Sequence, residues 1–162
     1  MYFLKKVLLL IIAINLINAC GCQENSYVPV LTFDPQRDAA LDLQNAIKEA
    51  QRSNRYIIID VGGEWCIWCH KLDQFFETHK AIAEFMHENY VVLKINFSKE
   101  NINEAVLSNF PPIQGYPHLF VLDQQGQLLH SQDSGLLESG DQHDVEKVRV
   151  FLENWAPGGS NK

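Results

Sequence analysis

A buried-strand pattern followed at once by two closely spaced cysteines is the feature that most constrains the fold of this chain. Residues 56–61 (YIIIDV) form a nearly continuous run of apolar, β-favouring residues, which is typical of a central strand buried on both faces. Gly62 and Gly63 end that run, and a helical spacing of apolar residues begins at Cys66. The sequence therefore predicts that Cys66 and Cys69 lie at a strand-to-helix junction, with Cys66 at the start of the helix.

The rest of the chain continues this alternation of helical and strand patterns. Asp34 followed by Pro35 predicts the start of an amphipathic helix of about 15 residues. Further strands are predicted at Tyr90–Phe97, His118–Leu122 and Gln127–Ser131, and further helices at Cys66–Met86, Ile102–Phe110 and Asp144–Trp155. This order predicts an α/β fold in which a mixed β-sheet of about four strands is flanked by helices on both faces, with an extra N-terminal helix.

The N-terminus has the layout of a secretory signal peptide. Residues 1–6 carry two lysines, residues 7–17 form an apolar run, and small residues follow at Ala19 and Gly21. An uncleaved membrane anchor is the alternative, but the apolar run is shorter than the ~20 residues that a membrane-spanning helix needs. We therefore predict a signal peptide at 1–19, a linker at 20–33, a folded domain at 34–156 and a disordered tail at 157–162.

Residues 17–20 (INAC) resemble the lipobox of bacterial lipoproteins, although Asn18 is not the usual residue at its position. The resemblance implies that Cys20 is lipidated and becomes the first residue of a chain that faces the periplasm. Cleavage at this point removes Lys5 and Lys6, which makes the formal charge of −7 two units more negative. A chain this acidic lacks the basic surface with which proteins bind nucleic acid, so membrane attachment would depend on the acyl chains.

The C-x-x-C-H sequence of residues 66–70 fits three kinds of chemistry: a redox dithiol, half of a zinc site, or a haem attachment point. Zinc would need two further ligands, but the other two cysteines lie at the processed terminus and the histidines are scattered. Haem usually takes a second axial ligand, and Met86 is the only methionine that remains once the signal peptide is removed. The strand-to-helix junction favours the dithiol, which requires neither a metal nor an organic cofactor.

The position of Cys66 predicts its reactivity. The first N–H groups of a helix and its positive dipole end stabilise an anion, so we expect the pKa of Cys66 to lie below the ~8.5 of a free thiol. Cys69 lies one turn further into the helix, where it can bond to Cys66. Thiol–disulfide exchange requires this separation of an attacking sulfur from a resolving one.

Trp65-Cys66-x-x-Cys69, placed six residues after Asp60, resembles the active site of the thioredoxin superfamily. Lys94 matches the lysine that commonly faces the buried acid of that family, and Tyr116-Pro117 matches the loop with a cis proline. The similarity covers about residues 38–156 and is strongest to exported thioredoxin-like domains, such as the C-terminal domain of transmembrane disulfide reductases. It implies a thioredoxin fold and a thiol–disulfide oxidoreductase that acts on protein thiols and disulfides and on an upstream dithiol protein, as a monomer.

The resemblance also implies roles for individual residues. Asp60 would accept the proton of the resolving Cys69, with Lys94 as its partner. The residues expected to contact the partner chain are Trp65, Trp68, Tyr116 and Pro117. Ile67 and His70 are expected to tune the redox potential. The acidic side chains of Glu64 and Asp73 are expected to be solvated. A second hypothesis is a binding or chaperone-like module that keeps this fold and its aromatic rim without redox turnover.

Overall fold

Four strands form the sheet at the centre of the structure. The computed structural model describes residues 27–160. The strands are β1 (Tyr56–Gly62), β2 (Tyr90–Asn96), β3 (His118–Leu122) and β4 (Leu128–Asp133). They lie in the order β2-β1-β3-β4, in which β1 and β2 are parallel and the other two pairs are antiparallel. The prediction of a mixed sheet of four strands is confirmed.

The helices are α1 (Ala39–Ser53), α2 (Ile67–Thr78), α3 (Lys80–Asn89), α4 (Glu104–Leu107) and α5 (Val145–Trp155). Between β4 and α5 the chain forms a short 3-10 helix (Ser134–Leu137) and a small hairpin of β5 (Glu138–Ser139) and β6 (Gln142–His143). The sequence did not predict the 3-10 helix or this hairpin, because two-residue strands are too short to show a periodic pattern.

Alternation along β1 places apolar residues on both faces of the sheet. Ile57 and Ile59 belong to a buried cluster that includes residues of α1, whereas Ile58 belongs to a second cluster built with residues of α2 and α5. Helices therefore cover both faces, as predicted. Because side chains alternate along a strand, Asp60 and Gly62 share the face of Ile58, and this face carries the site described below.

The first helix begins later than predicted. The N-cap of α1 is Asp38, whose carboxylate accepts hydrogen bonds from the N–H groups of Ala40 at 3.0 Å and Leu41 at 3.1 Å. The carboxylate of Asp34 instead accepts the N–H of Gln36 at 2.8 Å within a turn. Predicting the helix start at Asp34 was wrong because an aspartate can close a turn as well as cap a helix.

Two other helical predictions differ from the structure. The stretch predicted as one helix from Cys66 to Met86 is divided at His79, whose backbone is not helical (φ −103°, ψ 69°). The apolar period continues across this break because α2 and α3 both contribute to the same cluster against the sheet. The helix predicted at Ile102–Phe110 is reduced to α4, which follows Asn103 in a left-handed conformation.

Residues 27–33, which the sequence assigns to a linker, pack against the domain. Val30 forms a parallel bridge with Leu93 of β2, its carbonyl accepts the N–H of Lys94 at 3.0 Å, and Phe33 is buried. The predicted signal peptide, Cys20 and the remainder of the linker lie outside the described residues. Residues 157–160 follow α5 as a turn, and within residues 27–160 no helix has the length and apolarity to cross a membrane.

Candidate active site

Cys66 and Cys69 form a disulfide at the start of α2. Their sulfurs are 2.12 Å apart and their Cα atoms 5.2 Å apart. Cys66 is the N-cap of α2, and its Sγ accepts a hydrogen bond from the backbone N–H of Cys69 at 3.1 Å. The predicted strand-to-helix junction is therefore confirmed. The sulfur of Cys66 lies where the first N–H groups of a helix favour negative charge.

The disulfide is covered by side chains rather than open to solvent. Cys66 is 3% exposed and Cys69 is 0% exposed, and both pack with Phe33, Trp68 and Tyr116. The cysteines beside Trp65 and Trp68 are therefore buried in the disulfide form. The small exposed fraction of the disulfide belongs to Cys66 rather than to Cys69.

Gly62 allows Cys69 to approach the end of β1. A Cβ atom at position 62 would lie 2.4 Å from the Cys69 Sγ and 3.0 Å from the Cζ of Phe33. Real side chains do not approach so closely, so glycine is needed at this position. Since Asp60 and Gly62 share one face of β1, the carboxyl group of Asp60 lies on the same side of the sheet as the resolving sulfur.

Asp60 and Lys94 form a buried ion pair, and Asp73 joins it from α2. The Nζ of Lys94 donates to Asp60 Oδ2 at 2.9 Å and to Asp73 Oδ1 at 2.7 Å. Asp60 and Lys94 are directly opposite each other in the parallel register of β1 and β2. The expectation that Asp73 is simply solvated was wrong: its side chain is 42% exposed, but one carboxylate oxygen holds the lysine.

Burial and charge act in opposite directions on the pKa values of the Asp60–Lys94 pair. Burial raises the pKa of Asp60, and the charge of Lys94 offsets this only in part. Burial alone would lower the pKa of Lys94, but the carboxylates of Asp60 and Asp73 outweigh it and raise that pKa. The buried Oδ1 of Asp60 has no hydrogen-bond partner among residues 27–160.

Phe33 joins the disulfide to the acid–lysine cluster. Its ring packs with Cys66 and Cys69, and the Nζ of Lys94 lies 4.1 Å from its centroid. The sequence missed this residue because it lies in a segment without a regular period.

An aromatic rim lies beside the disulfide. Trp65 is 58% exposed, its Nε1 donates to the carbonyl of Phe97 at 2.7 Å, and its ring meets Tyr116 edge to face at 5.4 Å. Tyr116 in turn stacks on Phe97 at 5.0 Å. The peptide bond between Tyr116 and Pro117 is cis, which confirms that prediction.

The residues between and after the cysteines face different surroundings. Ile67 is exposed, whereas Trp68 is half-buried, with the Nζ of Lys71 4.1 Å above its ring and His143 against its edge. The Nε2 of His70 lies 2.9 Å from the carbonyl oxygen of Glu64, so the imidazole ties α2 to the loop before it. The tuning roles expected of Ile67 and His70 stay predictions.

A family model described as thioredoxin-like matches residues 38–124, which is more than half of the chain. The chain belongs to this thioredoxin-like family. The matched range contains α1, the disulfide and the Asp60–Lys94 pair, and it ends just after β3.

Two curated relatives match part of this thioredoxin-like chain. The thiol:disulfide interchange protein DsbD of Actinobacillus pleuropneumoniae is 24% identical over 110 residues, which is 67% of this chain and 18% of that protein. An uncharacterized protein of Caenorhabditis elegans, B0495.5, is 30% identical over 53 residues, which is 33% of this chain and 7% of that protein. The chain thus spans less than a fifth of the length of either relative.

Two solved structures share the thioredoxin-like fold. A disulphide isomerase from Xylella fastidiosa Temecula1 has a TM-score of 0.64 and 21% identity, with 74% of this chain and 92% of that chain covered. The C-terminal domain of Neisseria meningitidis DsbD in its oxidised form has a TM-score of 0.53 and 16% identity, with 76% and 98% covered. These similarities establish the thioredoxin fold.

The geometry of the thioredoxin-like site suits sulfur chemistry. The two sulfurs bond to each other, which in this state leaves neither free for a thioether bond to haem or a bond to zinc. Within residues 27–160, no group of three or more histidine, cysteine, aspartate or glutamate side chains is arranged to hold a metal ion. The elements present are a reversible disulfide, a helix start that stabilises a thiolate, and a buried acid on the same face of the sheet.

Proposed function

We propose that this chain is a protein thiol–disulfide oxidoreductase that works in the cell envelope. The observation that carries the proposal is the place of Cys66 at the N-cap of α2, bonded to Cys69 and accepting the N–H of that residue. In the reduced protein the same N–H group and the helix dipole would stabilise a thiolate at Cys66. A sulfur that is stable as a thiolate both attacks disulfides and leaves readily from them.

The proposed reaction moves two electrons between the cysteine pair and a substrate disulfide. The Cys66 thiolate attacks one substrate sulfur, an S–S bond forms between them, and the other substrate sulfur leaves as a thiolate. Cys69 then loses its proton and attacks the Cys66 Sγ, which releases the second substrate thiolate and closes the Cys66–Cys69 disulfide. The reverse sequence oxidises a substrate dithiol, and an upstream dithiol or disulfide protein restores the starting state.

We assign the proton of Cys69 to Asp60, reached directly or through water or Lys94. The shared face of β1, the raised pKa of Asp60 and its unpartnered Oδ1 among the described residues support this role. Lys94 would stabilise the carboxylate before the proton arrives. General bases of this kind usually have a pKa near the working pH, which is the direction in which burial moves Asp60.

The partner chain is proposed to lie along the aromatic rim. Trp65, Trp68 and Tyr116 offer an apolar surface beside the disulfide, and the backbone before Pro117 would hold the partner in an extended conformation. Ile67 and His70 are proposed to tune the redox potential, because Ile67 lies between the cysteines, His70 follows Cys69, and both are exposed. We propose that the domain acts as a monomer.

Export and lipidation are proposed from residues 1–20. The short lysine-bearing start, the apolar run and the cysteine after Ala19 support removal of residues 1–19 and acylation of Cys20. Mass spectrometry of the protein isolated from cells should then find an N-terminal peptide that begins with an acylated Cys20. A mature chain that begins elsewhere, or an unmodified Cys20, would contradict this part of the proposal.

Reduction of insulin tests the proposed activity against the binding-module hypothesis. With dithiothreitol as electron donor, the protein should accelerate the reduction of insulin disulfides, seen as turbidity of the released chains. A variant with both Cys66 and Cys69 replaced by serine should give only the uncatalysed rate. If the wild-type protein is silent in this assay, while peptide binding persists in the double variant, the chain is a binding module and not an oxidoreductase.

A further inference from the structure

We propose that a cleft next to the disulfide binds a bulky apolar side chain of the substrate protein, close in sequence to its reactive cysteine. The cleft lies between the segment that precedes α1 and the loop that follows β2, and its volume is about 550 Å³. We call it the Phe33 cleft, and its lining includes Phe33, Trp65, Phe97 and Ile102. This inference rests on the proposed function, since it names the substrate feature that the same active site would select.

The lining of the Phe33 cleft favours an apolar occupant. Ile102 is 47% exposed and Trp65 is 58% exposed, so two large apolar side chains that line the cleft remain in contact with solvent. An apolar side chain placed between them would remove this surface, as well as its own, from water. The volume lies within the range of roughly 300–1,000 Å³ that is typical of pockets that bind ligands.

The Phe33 cleft adjoins the reacting sulfurs. Phe33 forms part of its wall and also packs in one buried cluster with Cys66 and Cys69. Trp65 also lines the cleft and directly precedes Cys66. Because an extended chain advances by roughly 3.3 Å per residue, a side chain in the cleft belongs within about two residues of a substrate cysteine bonded to Cys66.

Charge on the rim distinguishes a substrate chain from a second copy of this protein. Glu64 and Glu100 line the cleft and are exposed, and the exposed Lys99 supplies one positive charge beside them. The whole chain has a formal charge of −7, so that two copies repel each other. The rim therefore favours a substrate segment in which lysine or arginine lies beside the apolar residue.

Peptide disulfides of defined sequence test the Phe33 cleft. Each peptide carries one cysteine as a mixed disulfide with 2-mercaptoethanol, and a tryptophan, leucine or glycine lies within two residues on either side. The rate constant for oxidation of the reduced protein is divided by that for hydroxyethyl disulfide, which has no side chain for the cleft. We expect the tryptophan and leucine peptides to react about tenfold faster than the glycine peptides, and a neighbouring lysine to increase the rate further at low salt.

Two matched variants locate the preference. Ile102→Ser should reduce the preference for apolar peptides to less than about threefold. Leu41→Ser removes a similarly exposed apolar residue (51%) from α1 and should leave the preference intact. Equal reduction of the preference by both variants would overturn the assignment to the Phe33 cleft.

The outcomes separate this inference from the proposed function. No reaction with hydroxyethyl disulfide or any peptide would overturn the proposed function itself. Normal reaction with hydroxyethyl disulfide, but equal rates for all peptides, would overturn only the Phe33 cleft. A dimer at assay concentration in analytical ultracentrifugation that Ile102→Ser converts to monomer would assign the cleft to a second copy and overturn the substrate proposal.

Discussion

A Cys69→Ala variant is expected to accumulate covalent complexes with its protein substrates, joined through Cys66. In this variant Cys66 can still attack a substrate disulfide, but no second sulfur is present in the site to resolve the mixed disulfide. Turnover should fall by at least about a thousandfold, since release then depends on external thiols. The complexes should be visible on non-reducing gels after acid quenching and should disappear when dithiothreitol is added.

Two controls assign the covalent bond to Cys66. A Cys66→Ser variant should form no such complexes, because the remaining Cys69 is fully buried and is not the N-cap of α2. Peptide mapping of the trapped species should find the substrate cysteine on Cys66. Trapping by Cys66→Ser to the same extent as by Cys69→Ala would reverse the proposed roles of the two cysteines.

An Asp60→Asn variant is expected to resolve mixed disulfides about a hundredfold more slowly than the wild-type protein near neutral pH. Asparagine has the size of aspartate and can still accept a hydrogen bond from Lys94, but it cannot take up the proton of Cys69. The rate of resolution should also lose the pH dependence that Asp60 imposes. Stopped-flow measurement of the second step, from a preformed mixed disulfide, gives this rate directly.

Asp73→Asn is the matched control for this variant. Asp73 also accepts a hydrogen bond from Lys94, but its side chain is 42% exposed and it lies on α2. The loss of Asp73 should slow the second step much less than the loss of Asp60. Equal effects of the two substitutions would assign the proton to the whole cluster around Lys94 rather than to Asp60.

The same Asp60→Asn substitution is expected to change how the free energy of unfolding depends on pH. Because the pKa of Asp60 is raised on folding, the folded protein binds this proton more tightly than the unfolded chain does. The stability that Asp60 contributes is therefore greatest below its unfolded pKa of about 3.9 and is lost as the pH rises through the folded pKa. Relative to the wild type, the free energy of unfolding of Asp60→Asn should therefore rise between acid and mildly alkaline pH. A difference that stays constant over this range in urea denaturation would contradict the raised pKa.

The parts of the site that the sequence predicted are those set by local order along the chain. The position of Cys66 is predicted by the strand over residues 56–61, the two glycines after it and the cysteine spacing. Because the strand ends and the helix begins within a few residues, Cys66 must lie at the start of the helix. The family resemblance, rather than local order, predicted that Asp60 faces Lys94 and that the bond before Pro117 is cis. The register of β1 and β2 and the cis peptide bond agree with these predictions.

The parts that the sequence missed depend on contacts between distant segments. Phe33 lies shortly after Val30, whose bridge to Leu93 of β2 is not predicted by any periodic pattern in the sequence. Phe33 nevertheless packs against both the disulfide and Lys94. Asp73 lies four residues after Cys69 and therefore on the same side of α2. This spacing could have predicted that Asp73 lies near the site. Its bond to Lys94 nevertheless depends on how α2 packs across the sheet, which the sequence alone does not fix.

The dependence of the alkylation rate on pH, measured for the reduced protein, shows whether the helix start stabilises a thiolate at Cys66. Iodoacetamide labelling followed by mass spectrometry reports each cysteine separately. We expect Cys66 to react first, with a pH midpoint of its alkylation rate below the ~8.5 of a free thiol, while Cys69 reacts more slowly. Equal labelling of both cysteines, with midpoints at or above that of free cysteine, would contradict it.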